Sequence, residues 1–132
     1  MRNPNKPCLF CNVKESGLAD ANELAYVSYD TYPVTDQHCL IIPKRHVKSY
    51  FDLTEDEIIA CNHLIKKIKK KIEDKDRKVK GFNIGTNSGK VAGQSIMHCH
   101  IHLIPRRKGD VSNPQGGVRS VVPLKQHYIR KA

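Results

Sequence analysis

The run His98-Cys99-His100-Ile101-His102-Leu103-Ile104 alternates imidazole with apolar side chains. It constrains the fold more than any other stretch. On a β-strand successive side chains point to opposite faces, so the three histidines are expected in one row while Cys99, Ile101 and Leu103 pack on the other face. The pattern predicts a strand over 95–105. Three imidazoles in register repel when charged and fill a core poorly, so their clustering points to a site rather than to packing.

The rest of the chain supplies the partners of that strand. Leu24 to Tyr29 is β-favouring and ends at the turn residues Asp30-Thr31-Tyr32-Pro33, and His38-Cys39-Leu40-Ile41-Ile42 stops at Pro43. These two runs are expected to pair antiparallel. Thr54 followed three residues later by Glu57 fits a capping box, and Ile58, Cys61, Leu64, Ile65, Ile68 and Ile72 then recur at helical spacing, which predicts the one long helix. Its other face carries Lys66, Lys67, Lys69, Lys70 and Lys71 and reads as a solvated surface; the stretch lacks aromatic residues for base stacking, so a nucleic-acid partner is not expected. Gly81 to Thr86 is a short strand running into Asn87-Ser88-Gly89-Lys90-Val91-Ala92-Gly93, whose glycines permit unusual backbone angles. The fold class is therefore α+β, one domain over 1–132 with a core in 1–107 and a basic tail in 108–132 that is expected to wrap over the domain or a partner subunit.

At 132 residues with 39% apolar side chains the chain has the size of one domain. No apolar run approaches the roughly 18 to 20 residues that cross a bilayer, so no membrane association is expected. The start, Met1-Arg2-Asn3-Pro4-Asn5-Lys6-Pro7-Cys8, lacks the apolar stretch of a signal peptide, which implies a cytoplasmic location. Five scattered cysteines do not form a secreted disulfide framework. Two of them, Cys8 and Cys11, stand three positions apart and can face one metal ion. The formal charge of +10 favours polyanionic partners or substrates.

Two chemistries suit the histidine row. The imidazoles can bind a catalytic divalent metal, or one of them can attack an electrophile while its neighbours set its tautomer and serve the leaving group. The flanking loop offers Asn87, Gly89, Gly93, Gln94 and Ser95, neutral donors and close backbone approach suited to phosphate oxygens.

Gly93-Gln94-Ser95-Ile96-Met97-His98-Cys99-His100-Ile101-His102-Leu103-Ile104 resembles throughout the signature of the histidine triad (HIT) family, a Gly-Gln-(Ser/Thr) step leading into three alternating histidines. The resemblance extends to His38-Cys39-Leu40-Ile41-Ile42-Pro43-Lys44-Arg45-His46, to Asp30 before it, and to Cys8-Leu9-Phe10-Cys11. It implies an antiparallel sheet of about five strands with one long helix, paired into a homodimer. It also implies a nucleotide hydrolase or transferase working through a covalent nucleotidyl-histidine, with His100 as nucleophile, His102 beside the phosphate and departing group, and Ser95 as a donor near that group. Gln94 and Asn87 would hold phosphate oxygens, Asp30 the ribose hydroxyls, and Phe10, Val13 and Leu40 the apolar wall around the base. His38 would support the triad by hydrogen bonding.

Zinc-binding members of the family, and the related galactose-1-phosphate uridylyltransferases, use a Cys-x-x-Cys pair plus two histidines. By resemblance these are Cys8, Cys11, His46 and His98, a closed set that implies a structural zinc and no organic cofactor. The implied substrates are dinucleoside polyphosphates or nucleoside 5′-phosphoramidates, with a purine base. Two other readings stand beside this one: a metal-dependent phosphohydrolase using His98, His100 and His102 as ligands, and a basic nucleotide- or RNA-binding module.

Overall fold

A computed structural model describes residues 8–12 and 17–131. Its strands are β1 (Leu18–Ala21), β2 (Ala25–Tyr29), β3 (Cys39–Pro43), β4 (Val79–Gly85) and β5 (Ile101–Arg107), and its long helix, α1, spans Glu55–Lys75. The strands form one antiparallel sheet in the order β1-β2-β3-β5-β4. This is the HIT-like architecture that the resemblance implies, five strands and one long helix. No helix among the described residues is long and apolar enough to cross a membrane.

Strand alternation divides the sheet into two unlike faces. Ala25, Val27, Cys39, Ile41, Ile101 and Leu103 point to one side, where Ala60, Cys61, Leu64, Ile68 and Ile72 of α1 cover them in the main core. Tyr26, Leu40 and Ile42 point to the other side and meet Phe10, which arrives on a short turn over Leu9–Cys11. His102 lies opposite Leu40 across the β3–β5 pair, so it shares this second face. The helix covers one side of the sheet and leaves the other for chemistry.

The helix begins with the capping box that the sequence predicts: Glu57 N–H donates to the Thr54 hydroxyl, and Thr54 N–H donates to the Glu57 carboxylate. Glu57 is also buried, because Arg45 reaches its two carboxylate oxygens at 2.8 and 2.9 Å. Hydrogen bonding to Arg45 holds the Glu57 carboxyl down at about 2. With Glu57 turned inward in the first turn, Ile58 is left 37% exposed and outside the main core, so it does not belong to the apolar stripe as its spacing suggests. The lysine face is solvent-exposed, and Lys67, Lys69 and Lys70 pair with Asp20, Glu73 and Asp74.

The strand expected over 95–105 starts only at Ile101. Its pairing to β3 ends at Ile41↔Ile101, and just before it Cys99 N–H is taken by the carbonyl of Val47 in the loop after β3. His98 and His100 therefore precede the strand. The tail turns back through Gly117–Val121 against the end of β4, with Gly117 beside the Asn83 amide.

Candidate active site and metal cluster

The three histidines of the run make different contacts, and the hydrogen bonds determine which ring nitrogen of each carries the proton. His100 places Nδ1 at 2.8 Å from the His98 carbonyl oxygen. A carbonyl only accepts, so Nδ1 holds the proton and the neutral ring keeps its lone pair on Nε2. The His100 carbonyl is itself held by the Thr86 hydroxyl at 2.7 Å. For His102 the chain of bonds is one step longer. Val34 N–H donates to Nδ1 of His38 at 2.9 Å, which leaves the His38 proton on Nε2, and that Nε2 lies 2.9 Å from Nδ1 of His102. His102 accepts there and carries its own proton on Nε2. Asp30 stands at the end of this chain, with Oδ2 at 3.4 Å from His38 Nε2 and Oδ1 accepting from Tyr32 N–H at 2.9 Å.

Burial, reinforced by the neighbouring His100 and His38 rings and opposed by Asp30, pushes His102 down to about 4. Burial also lowers His38, again against Asp30. Both are neutral at pH 7. An unfolded histidine titrates near 6.5, so between about pH 6.5 and 4 the unfolded chain binds protons that the folded chain refuses, and stability rises with pH across this window. It is undiminished above 6.5 and declines as pH falls towards 4. His102→Asn is expected to lose less stability than the parent protein between pH 7 and 4.5, as read from urea midpoints; identical losses would contradict the burial argument.

His100 and His102 line a cavity of about 350 Å³, together with Asp30, Phe10, Leu40, Asn87 and Ser95. All seven are among the residues expected from sequence. His38 is buried and reaches the cavity only through His102 and Asp30. Val13 lies outside the described residues. Gln94 requires a correction: its amide N–H groups go to the carbonyls of Lys48 and Ile96, and its amide oxygen takes Gly89 N–H. Both donors are spent, so no side-chain N–H of Gln94 remains for a phosphate oxygen. The residue braces the loop instead. Leu9, Ser28, Tyr29, Thr31, Tyr32 and Ile96 also line the cavity without having been singled out from sequence. Alternation in β2 and proximity to Asp30 are the signals that could have found Ser28 and Tyr32. A wider depression of about 600 Å³ along β4 and residues 106–114 holds no histidine or thiol, and its Arg106 is engaged by Asp110 and Asn83.

His98 faces away from that cavity. Its Nε2 donates to the Pro43 carbonyl at 2.8 Å, which frees the Nδ1 lone pair. That Nδ1 lies 3.4 Å from Cys8 Sγ, 3.5 Å from Cys11 Sγ and 3.2 Å from His46 Nδ1, and Cys11 Sγ is 3.1 Å from His46 Nδ1. A tetrahedral zinc with ordinary bond lengths sets its nitrogen ligands about 3.3 Å apart and its nitrogen–sulfur pairs about 3.5 Å apart. The donor set fits a metal ion in both chemistry and spacing. The Pro43 carbonyl supplies the outer hydrogen bond that orients a ligating histidine.

Asp30, His38 and His102 also converge, but the His38 nitrogen facing its neighbours carries a proton fixed there by Val34 N–H. That group is a hydrogen-bond chain. The reading in which His98, His100 and His102 share one catalytic ion is not supported by this geometry, because His98 Nδ1 belongs to the thiol cluster while His102 Nδ1 accepts from His38.

Fold and site together define a class: a small α+β domain that presents one unprotonated imidazole nitrogen in a nucleotide-sized cavity, beside a Cys2His2 cluster. The chain belongs to the HIT family, whose HIT-domain model matches residues 13–109. A histidine triad nucleotide-binding protein from Sulfolobus tokodaii is similar in structure, with a TM-score of 0.71 and 34% identity over 78% of this chain and 71% of that one. A Zn-bound histidine triad protein from Mycobacterium smegmatis has a TM-score of 0.70 and 29% identity over 78% and 77%. Among sequence relatives, the adenosine 5′-monophosphoramidase of Saccharomyces cerevisiae is 30% identical over 104 residues, 76% of this chain and 63% of that protein.

Proposed function

We propose that this chain hydrolyses nucleotides at the α-phosphate, acting on dinucleoside polyphosphates or nucleoside 5′-phosphoramidates through a nucleotidyl group carried on His100. The observation that carries the reading is the hydrogen bond from His100 Nδ1 to the His98 carbonyl, which leaves Nε2 as the nucleophilic nitrogen of a residue lining the cavity. Nε2 attacks the α-phosphorus; an Nε2–P bond forms, and the bond from phosphorus to the leaving oxygen or nitrogen breaks with its electron pair. The ring becomes cationic, and the His98 carbonyl on Nδ1–H stabilises that charge. His102 offers a neutral Nε2–H to a phosphoryl oxygen. A polyphosphate leaves as an anion needing no proton from the protein, whereas an amine must gain one, which the Ser95 hydroxyl on the cavity wall relays, giving its proton to the nitrogen and taking another from water. Water then attacks phosphorus, the Nε2–P electron pair returns to nitrogen, and a proton passes to solvent with release of the nucleoside monophosphate.

The remaining residues divide the substrate between them. Asn87 donates to phosphate oxygens, Asp30 accepts from ribose hydroxyls, and Phe10 and Leu40 flank a purine base. Cys8, Cys11, His46 and His98 hold a structural zinc whose contribution is to fix the segment that leads into His100. The chain acts as a homodimer, a proposal supported by the position of β4 as an outermost strand of the sheet.

The test is to quench the reaction with an adenine nucleotide substrate and weigh the protein. A mass increase of one adenylyl group, lost in His100→Asn, supports the mechanism, and turnover without any adduct at early times in a rapid quench contradicts it. Asp30→Asn keeps an acceptor for Tyr32 N–H but removes the charge. It is expected to weaken adenosine monophosphate about tenfold, the order for a hydrogen bond to a charged group, with little change for inorganic phosphate. Equal weakening of both would argue against ribose contact.

A further inference from the structure

We propose that Tyr32 is the stacking residue that closes over the nucleobase and gives the site its purine selectivity; the proposal rests on the nucleotide-hydrolase reading above. Tyr32 lines the cavity yet is 88% exposed, and no hydrogen bond, ion pair or ring contact among the described residues involves its side chain. An aromatic side chain left in water at a cavity rim gains most when a flat apolar ligand covers it.

The backbone beneath it is tied down at both ends. Tyr32 N–H is held by Asp30 Oδ1, Pro33 follows, Val34 N–H is held by His38, and the Thr35 hydroxyl donates to the Pro105 carbonyl at 2.6 Å. Ordering the ring therefore freezes two side-chain torsions and little else, which is the low-entropy use of tyrosine at recognition surfaces.

The end of the cavity to which Tyr32 belongs follows from its partner. Its own amide sits on one oxygen of Asp30, so Tyr32 borders the end that Asp30 assigns to the ribose and base, whereas Asn87 and Ser95 belong to the segment that serves the phosphates. Phe10 and Leu40 give the same cavity a buried apolar wall. A cavity of about 350 Å³ is near the lower limit for a small-molecule site, room for one nucleotide. One face of its base meets the Phe10 and Leu40 wall. Tyr32 supplies the second face, and a purine, with the larger π surface, gains more from it than a pyrimidine.

The experiment is equilibrium titration of the parent protein, Tyr32→Ala and Tyr32→Phe with adenosine monophosphate, uridine monophosphate and ribose 5-phosphate. Tyr32→Ala is expected to weaken adenosine monophosphate about tenfold, on the scale of one base–aromatic stack, to weaken uridine monophosphate less, and to leave ribose 5-phosphate within twofold. Tyr32→Phe should match the parent. Adenosine monophosphate binding unchanged in Tyr32→Ala overturns the proposal, as does an equal loss for ribose 5-phosphate. If the parent binds none of the nucleotides, the nucleotide-hydrolase reading falls first, and the two failures are thereby distinguished.

Discussion

His100→Asn should lower turnover by about 10⁴-fold or more while nucleotide affinity changes only a few-fold, because losing the nucleophile of a covalent mechanism removes the reaction path rather than a contact. Asparagine is the informative replacement. Its amide can still donate towards the His98 carbonyl, the bond that His100 makes at 2.8 Å, so the loop ahead of β5 keeps its anchor. His100 is one of the few polar residues buried beside the cavity, and an alanine there would leave a void against Phe10, whose ring centroid is 5.1 Å away. The measurements are steady-state turnover of an adenine dinucleotide polyphosphate and of adenosine 5′-phosphoramidate, with calorimetric binding of adenosine monophosphate beside them. Affinity lost in step with turnover would make His100 a binding group. Turnover retained at the parent level would show that a group other than His100 carries the reaction and would overturn the nucleotidyl-histidine mechanism.

Local signals in the sequence led to the elements, and tertiary contacts decided what the sequence left open. Thr54, Glu57 and the apolar positions that follow announce α1 because a cap and a 3.6-residue period depend only on near neighbours. The same period misplaces Ile58, since the inward turn of Glu57 depends on Arg45, twelve positions earlier. Alternation in the histidine run assigns β5 its faces, yet it cannot show where the strand starts, because that depends on where β3 stops offering partners. It likewise groups His98 with His100 and His102, although the direction of the His98 ring is set by the Pro43 carbonyl, fifty-five positions away. Gln94 is the sharpest case. An amide next to a phosphate loop reads as a ligand until its two N–H groups are traced to Lys48 and Ile96.

Removing the metal should affect the protein as a whole more than any other single change. Elemental analysis is expected to find about one zinc per chain, and exhaustive chelation to lower Tm by about 10 °C or more, since an ion bound only by the folded state stabilises it in proportion to the logarithm of its saturation. The size of the effect follows from what the four ligands join. Cys8 and Cys11 flank the turn that carries Phe10, His46 lies just beyond β3, and His98 precedes the nucleophile by two residues. Without the ion, two thiols and two imidazoles are left within 4.8 Å of one another, and the turn holding Phe10 against Tyr26, Leu40 and Ile42 loses its cross-link. The Tyr26 hydroxyl still donates to the Phe10 carbonyl at 2.6 Å, so the turn loosens rather than departs. Turnover should then fall about 10- to 100-fold, the range for a lost orienting contact, and not to zero. Cys11→Ser should reproduce both effects without a chelator. A metal-free preparation with unchanged Tm would refute the structural assignment, and loss of all turnover at unchanged Tm would show that the ion acts on the substrate instead.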